Sequence, residues 1–392
     1  MTSQDGSDTQ EAISETLVDL HDEEQAIVDQ LTRGSSQRHI ISIVGMPGIG
    51  KTTLARTAYN NQNVMLHFHR RAWCYVSQVY EKRELLLGIL RDIHGLTDQI
   101  CQMSEEDLES KLRQCLLKNK YLIVIDDIWD AGAWNDLKSS FPEDINGSRI
   151  LITSRLRDVA LEIEPNGDPH SLRPFSDDES WKLLEGKVFQ GEGCPQELLL
   201  AGKEIAQKCR GLPLAVVAIS GLLRRTEKSK ELWEQIAESL SSEIMKDPEA
   251  QCLEILELSY KHLPEHLKSC FLYLGVFLED RDIPVSKLIR LWLAEGFIEK
   301  TESKRLEDIA EAYLEDLIHR SLVIISKSRS NAKVKACRLH DLILDFCRSK
   351  AEDENFLQLV TRCDKPYSSF PGSDYGFEFD FYHHLDPVAY KA

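Results

Sequence analysis

The chain has 392 residues, 42% of them hydrophobic, and a formal net charge of −18. That apolar content excludes a disordered chain, and the length leaves room for roughly two to four domains. The acidic balance argues against broad binding to nucleic acid or anionic membrane, both of which want basic patches.

Residues 1–14 read as a disordered leader. The first clear element is the apolar run HIISIV, which predicts a strand. It leads into GMPGIGKTT, Gly45 to Thr53. Gly45, Gly50, Lys51 and Thr52 fit G-x-x-x-x-G-K-[ST]. Glycines let backbone N–H groups curl around phosphate, and the following helix TTLARTAYN offers its positive N-terminus. Lys51 should reach the β- and γ-phosphates, and the Thr52 hydroxyl should ligate Mg²⁺. RRAWCYVSQ then alternates as a strand, with Trp73 and Tyr75 on one face. After the helix-length segment EDLESKLRQCLLKNK comes YLIVIDDIWD, a buried parallel strand from Leu122 to Ile125 running into Asp126 and Asp127. Two acids at the C-terminal end of such a strand need a cation or polar ligand, and open α/β sheets bind ligands at that edge. Asp126 is the candidate for holding Mg²⁺ through water or through one of the ion's own ligands, and Asp127 for polarising an attacking water. GSRILITSR reads as a further strand ending in Thr153, Ser154 and Arg155. Arg155 fits a sensor of a terminal phosphate and a surface arginine equally well. Alternating strands and helices imply a parallel sheet with right-handed crossovers.

From about Pro174 the pattern turns helical. SDDESWKLL is a capping box, with Ser176 as cap and Glu179 reaching back. QELLLAGKEIAQKCRGLPLAVVAISGLLRR predicts two helices, with Gly211 ending the first and Pro213 opening the second. From about Glu254 four helical segments precede two β-like runs, SLVIIS and AKVKACRL, an order that suggests a winged helix. Its candidate recognition helix, VSKLIRLWLAEGF, carries only Lys287 and Arg290 as cations, whereas reading DNA takes several polar side chains facing the groove. In RLHDLILDFC, His340 and Asp341 fall where the last strand gives way to a helix, and Asp341 is the expected cap. His340 reads as a structural histidine or as a ligand. The tail FEFDFYHHLDPVAYKA alternates aromatic and acidic residues and fits one extra strand.

The ten cysteines form no C-x-x-C pair, which suits a reducing compartment better than a disulfide framework or a zinc site. No signal peptide opens the sequence, and the longest apolar stretch, GLPLAVVAISGLL, has about 13 residues, too few to span a bilayer. A soluble cytoplasmic protein without a membrane span is expected.

In order, GMPGIGKTT, FHRRAWCYVSQ, LIVIDDIWD, GSRILITSR, GLPLA, CFLYLGVFLED, LIRLWLAEGFI and LHD resemble the motifs of NB-ARC, the nucleotide-binding module of plant NLR (nucleotide-binding, leucine-rich-repeat) immune receptors, which are STAND signalling ATPases. Trp129 behind the acidic pair and the WLAEGFI segment are similar to the coiled-coil-bearing subclass. The resemblance covers about residues 15–350. It implies an α/β P-loop NTPase domain (15–162), a helical domain (163–245), a winged-helix domain (246–350) and a tail or linker (351–392). It implies that Gly48, Ile49, Gly50, Lys51, Thr52 and Thr53 hold the phosphates and that Leu17, Val18, Pro213 and Leu214 hold the adenine. Thr153 and Arg155 would sense the γ-phosphate, and His340, beside Asp341, would bind the β-phosphate of ADP and lock a closed state. Two positions depart from the family: Leu339 stands for the usual Met, and Asp19 for a glycine in the adenine-gripping segment LVDLHDE. The expected function is an ADP/ATP-operated switch with Mg²⁺ and at most slow ATP hydrolysis. It would self-associate on activation, with the receptor's own coiled coil and leucine-rich repeats, other immune receptors or effectors as partners. No leucine-rich ladder is visible, so an excised module is expected. The alternatives are a turnover ATPase of the remodelling type and a winged-helix DNA-binding regulator.

Overall fold

The computed structural model describes residues 21–240, 248–279, 281–300, 304–329, 333–359 and 381–382. The proposed leader, Leu17, Val18, Asp19 and most of the tail lie outside the described residues. The chain divides into two compact units, residues 1–252 and 253–392.

The first unit is built on a five-stranded parallel sheet of order β2-β3-β4-β1-β5. Its strands are β1 (His39–Val44), β2 (Arg70–Tyr75), β3 (Tyr121–Ile128), β4 (Arg149–Ser154) and β5 (His170–Ser171). The central strands are buried throughout β4 and through Asp126 in β3, as their unbroken apolar runs require. A parallel sheet puts all carboxyl ends at one edge, so Val44, Tyr75, Asp126, Ser154 and Ser171 share it. Helix α1 (His21–Thr32) buries Ile27, Val28 and Leu31 and lies against α2 (Lys51–Asn60) and α3 (Gln62–His67). On the β2–β3 side, α4 (Lys82–Ile93), α5 (Asp98–Cys101) and α6 (Glu105–Leu116) cover the sheet, their leucines and isoleucines joining one core with Ile123, Ile125 and Ile152. Helix α7 (Ala131–Leu137) follows β3, and α8 (Arg157–Ile163) follows β4.

Four helices continue this unit: α9 (Asp177–Phe189), α10 (Leu199–Lys208), α11 (Pro213–Arg225) and α12 (Lys230–Ser239). The capping box forms as expected, with Glu179 N–H donating to the Ser176 hydroxyl and Ser176 N–H donating to the Glu179 carboxylate. Pro213 occupies the first turn of α11. Gly211 sits at φ +70, and a Cβ there would meet the Phe175 carbonyl oxygen at 2.1 Å. Only glycine fits that corner.

The second unit contains most of α13 (Pro248–Lys261), then α14 (Glu265–Leu272), α15 (Val285–Ala294), α16 (Leu306–His319) and α17 (Asp341–Asp353). A small antiparallel sheet of order β6-β8-β7 joins β6 (Ile283–Pro284), β7 (Ile324–Ser328) and β8 (Val334–Arg338). Helices followed by a hairpin make the winged helix. Its α15 buries Leu288, Ile289 and Trp292 and leaves Lys287 and Arg290 exposed. Phe381–Tyr382 pair antiparallel with Gln358–Leu359, so the tail does supply a short strand.

One expectation is corrected here. The cap of α17 is His340, whose Nδ1 accepts from Leu342 N–H at 3.3 Å, while Asp341 is the first helical residue. His340 enters at φ −75 and ψ 144, the extended geometry that a cap needs.

Candidate nucleotide-binding site

Residues 45–50 join β1 to α2 at the carboxyl edge of the sheet. Gly48 (φ +72) and Gly50 (φ +103) take left-handed conformations, and Gly50 caps α2. A Cβ on Gly48 would approach Leu214 Cβ to 2.9 Å, so the loop fits beneath α11 only with glycine there. Leu214 N–H also donates to the Gly48 carbonyl at 3.2 Å. That contact places Leu214 against the phosphate loop and half-buried Pro213 next to it. Ile49 is buried, anchoring the loop from below, and Thr53 is exposed in the first turn of α2. Lys51, only 7% exposed, donates from Nζ to the Gly45 and Met46 carbonyls at 2.9 and 3.1 Å. The ammonium therefore folds back over the loop it would serve.

Thr52 meets the first of the two acids. Thr52 Oγ1 donates to Asp126 Oδ1 at 3.1 Å, and Thr153 Oγ1 donates to the same oxygen at 2.5 Å. Burial pushes the Asp126 carboxyl up to about 6, and the Asp127 charge adds to this, while the Thr153 and Thr52 hydroxyls pull the other way. A buried carboxylate beside two hydroxyls and a phosphate loop suits a hard divalent cation, which takes oxygen ligands. The donor set thus fits Mg²⁺ with a nucleotide.

Strand β3 carries an irregularity between Ile125 and Ile128 in its pairing with β4, and Asp127 adopts φ +58. Its N–H donates to Thr153 Oγ1 at 2.8 Å, which turns its side chain out of the strand's alternation. There Asp127 Oδ2 lies 3.5 Å from Arg155 Nη2. The Arg155 guanidinium also stacks on Trp129, 4.0 Å from the ring centroid, and lies 3.9 Å from Glu249. The Arg155 side chain is 13% exposed, so it is not a surface arginine. Thr153 is the residue whose centrality the sequence understated: one hydroxyl joins both acids. Glu249 gave no signal at all.

Leu17 and Val18 are outside the described residues, and His340 and Asp341 belong to the second unit. There the His340 ring, by accepting at Nδ1, keeps its neutral-form proton on Nε2. Among the described residues the nine cysteines are free, no group of His, Cys, Asp and Glu is arranged to hold a metal ion by itself, and no helix is long and apolar enough to cross a membrane.

A parallel sheet, a glycine-framed loop carrying lysine and threonine, and a buried acid beside that threonine define a P-loop nucleotide-binding domain. Residues 20–194 match the model of the NB-ARC domain, and residues 276–347 match that of the disease resistance protein winged helix domain. Late blight resistance protein R1-A of Solanum demissum is 46% identical over 351 residues, covering 89% of this chain and 27% of that protein. The late blight resistance protein homolog R1B-14 of the same species is 48% identical over 352 residues, covering 89% of this chain and 26% of that protein. Among solved structures, a STAND protein with a tetratricopeptide repeat sensor from Pyrococcus horikoshii shares the fold, with TM-score 0.52 and 18% identity over 87% of this chain and 44% of that one. The chain thus carries an NB-ARC domain and, after it, a winged-helix domain of the disease resistance protein type. It spans about a quarter of the length of the curated relatives it matches.

Proposed function

We propose that the chain is the nucleotide-operated switch of an intracellular plant immune receptor of the coiled-coil subclass, closed with ADP and opened by exchange for ATP. The observation that carries this reading is the state of Asp127, the group placed to polarise water. It is paired with Arg155, which is itself stacked on Trp129. A carboxylate held by a guanidinium is a poor base. This favours a protein that holds nucleotide over one that turns it over quickly.

In this reading the backbone N–H groups of Gly48 to Thr53 and the Lys51 ammonium bind the phosphates, and Thr52 and Asp126 hold Mg²⁺. Pro213 and Leu214, with Leu17 and Val18, hold the adenine. Arg155 exchanges Asp127 for a γ-phosphate when one is present, and Thr153 reports the same event to Asp126. His340 donates from Nε2 to the β-phosphate of ADP in the closed state. Bound nucleotide supplies the charge that these donors share, and two arrangements are weighted by their differential affinity for it. In the receptor the opened form self-associates and signals defence in the cytoplasm, with the coiled coil, the leucine-rich repeats and other receptors or effectors as its partners.

The same loop and acids would serve a turnover ATPase, so the deciding measurements are binding and rate. Denaturing the purified chain should release ADP; protein that carries no nucleotide and binds none overturns the proposal. Steady-state hydrolysis on the order of 1–10 per second would instead establish the turnover reading. The DNA-binding alternative is disfavoured by α15, which buries its apolar face and exposes only two cations.

A further inference from the structure

Lys120 and His67 meet at the amino edge of the parallel sheet, across it from the phosphate loop. Lys120 is the residue before β3, and His67 is the last residue of α3. The Lys120 carbonyl accepts from the N–H groups of His69 and Arg70 at 2.9 and 3.3 Å, which sets the two segments side by side. The side chains then meet: Lys120 Nζ donates to His67 Nε2 at 2.6 Å. An ammonium has no lone pair, so Nε2 is the acceptor and the ring proton sits on Nδ1.

Lys82, Lys327 and Lys333 lie against Glu109, Asp282 and Glu311. Lys120, by contrast, has no carboxylate partner among the described residues. Around its Nζ lie the imidazole, the Phe68 ring with its centroid at 5.8 Å, and Gly147. The charge that acts on it is a like one, that of Arg149, which is 3% exposed and held by backbone carbonyls. Burial and then Arg149 hold the Lys120 ammonium below the usual lysine range. Burial, then Lys120 and Arg149, hold His67 below the usual histidine range, so its imidazole is largely neutral at pH 7. The amine is still reachable. Both residues are half-buried, and a Cβ on Gly147 would lie 3.3 Å from Nζ, so glycine keeps that flank clear of a side chain.

A lysine that is desolvated, set beside another cation and within reach of a base has the surroundings of an activated nucleophile. We propose that Lys120 is a self-acylating site that takes acyl groups from acyl thioesters, with His67 as the proton acceptor. Neutral Nζ attacks the thioester carbonyl carbon. The nitrogen of the tetrahedral adduct is cationic and gives its proton to His67 Nε2. The carbon–sulfur bond then breaks, and the departing thiolate takes up the proton that His67 holds. The products are an Nε-acyl-lysine and a free thiol, with nothing oxidised or reduced. The site stands whether or not the nucleotide reading does.

The test uses the full 392-residue chain and a small thioester, S-acetyl-N-acetylcysteamine, at about pH 8, where an ordinary lysine is almost wholly protonated. Peptide mass spectrometry follows acetylation at Lys120 and at two exposed lysines, Lys118 and Lys203. Lys120 should react roughly tenfold faster than either. In His67→Gln the amide can accept the hydrogen bond but not a proton. There the Lys120 rate should fall at least about fivefold, while Lys118 and Lys203 keep theirs. A parent in which Lys120 reacts no faster than Lys118 overturns the proposal. So does an unchanged Lys120 rate in His67→Gln, since the histidine would then only pack against the lysine. If His67→Gln does not fold, the comparison within the parent decides alone.

Discussion

Asp126 shows binding and folding in conflict at a single residue. Burial pushes its folded carboxyl up to about 6, against the usual 3.8 or so of a free aspartate. Below pH 3.8 folded and unfolded chains both hold the proton, and the site costs nothing. Between these values only the folded chain holds it, so stability falls as pH rises and the full cost is present at pH 7. A shift of this size is worth at most roughly 3 kcal/mol. Asp126→Asn should therefore melt higher than the parent at pH 7 without nucleotide or Mg²⁺, and match it near pH 4. With Mg²⁺–ATP the order should reverse, because the parent carboxylate then gains a cation and asparagine does not. Melting curves over pH 4–7 check both halves. At the other end of the chain, Asp341 contributes charge in the first turn of α17, where His340 makes the cap. Asp341→Val thus removes a dipole interaction of about 0.3–1 kcal/mol and leaves the cap acceptor in place. ADP release should quicken by about two- to fivefold, measured well below melting. An off-rate at the parent value would remove Asp341 from the switch.

Among the elements, the Gly211 corner is the most demanding. Gly211→Ala forces a left-handed alanine and a collision with Phe175 backbone, and should cost roughly 3 kcal/mol or more. Because Leu214, three residues on, bonds Gly48, nucleotide affinity should fall with stability; calorimetry and ADP titration of the same sample check this. That corner was legible in the sequence, since glycine then proline around a helix break has one physical meaning. So were β1, β3 and β4, whose apolar runs leave no other burial pattern. Strands β5 and β6 were not. Each is two residues long and drawn into a sheet by its neighbours' open edge rather than by any periodicity of its own. The α17 cap was misread because propensity ranks aspartate above histidine, and propensity does not know at which residue the chain leaves its extended conformation. The pairing of Asp127 with Arg155 was hidden for a related reason. It depends on the left-handed Asp127, and only glycine announces such a conformation by its name.

Over the whole molecule, stability and occupancy are linked. A ligand that binds only the folded chain adds about 2.7 kcal/mol at a hundred times its dissociation constant. Melting temperature should rise with added ADP in the parent. In Lys51→Arg the response should be largely lost, since a planar fork does not fit where a compact ammonium folds back onto two carbonyls. An unchanged ADP response would exclude Lys51 from phosphate binding. The second unit has a core of its own around Trp292, Leu288 and Phe271.

The bond from Leu214 N–H to Gly48 O has a consequence for how the molecule can be watched. Amides in the first turn of a helix normally exchange their hydrogens with solvent quickly, because no carbonyl of the helix covers them. Leu214 is covered by the phosphate loop instead. Its hydrogen–deuterium exchange is therefore gated by the loop and not by unwinding of α11. Val216, whose N–H donates to Leu212 O at 3.1 Å, serves as a clock for the helix itself. Adding ADP should slow exchange at Leu214 and leave Val216 as it was, so that one backbone hydrogen reports, without a label, each time the loop lets go.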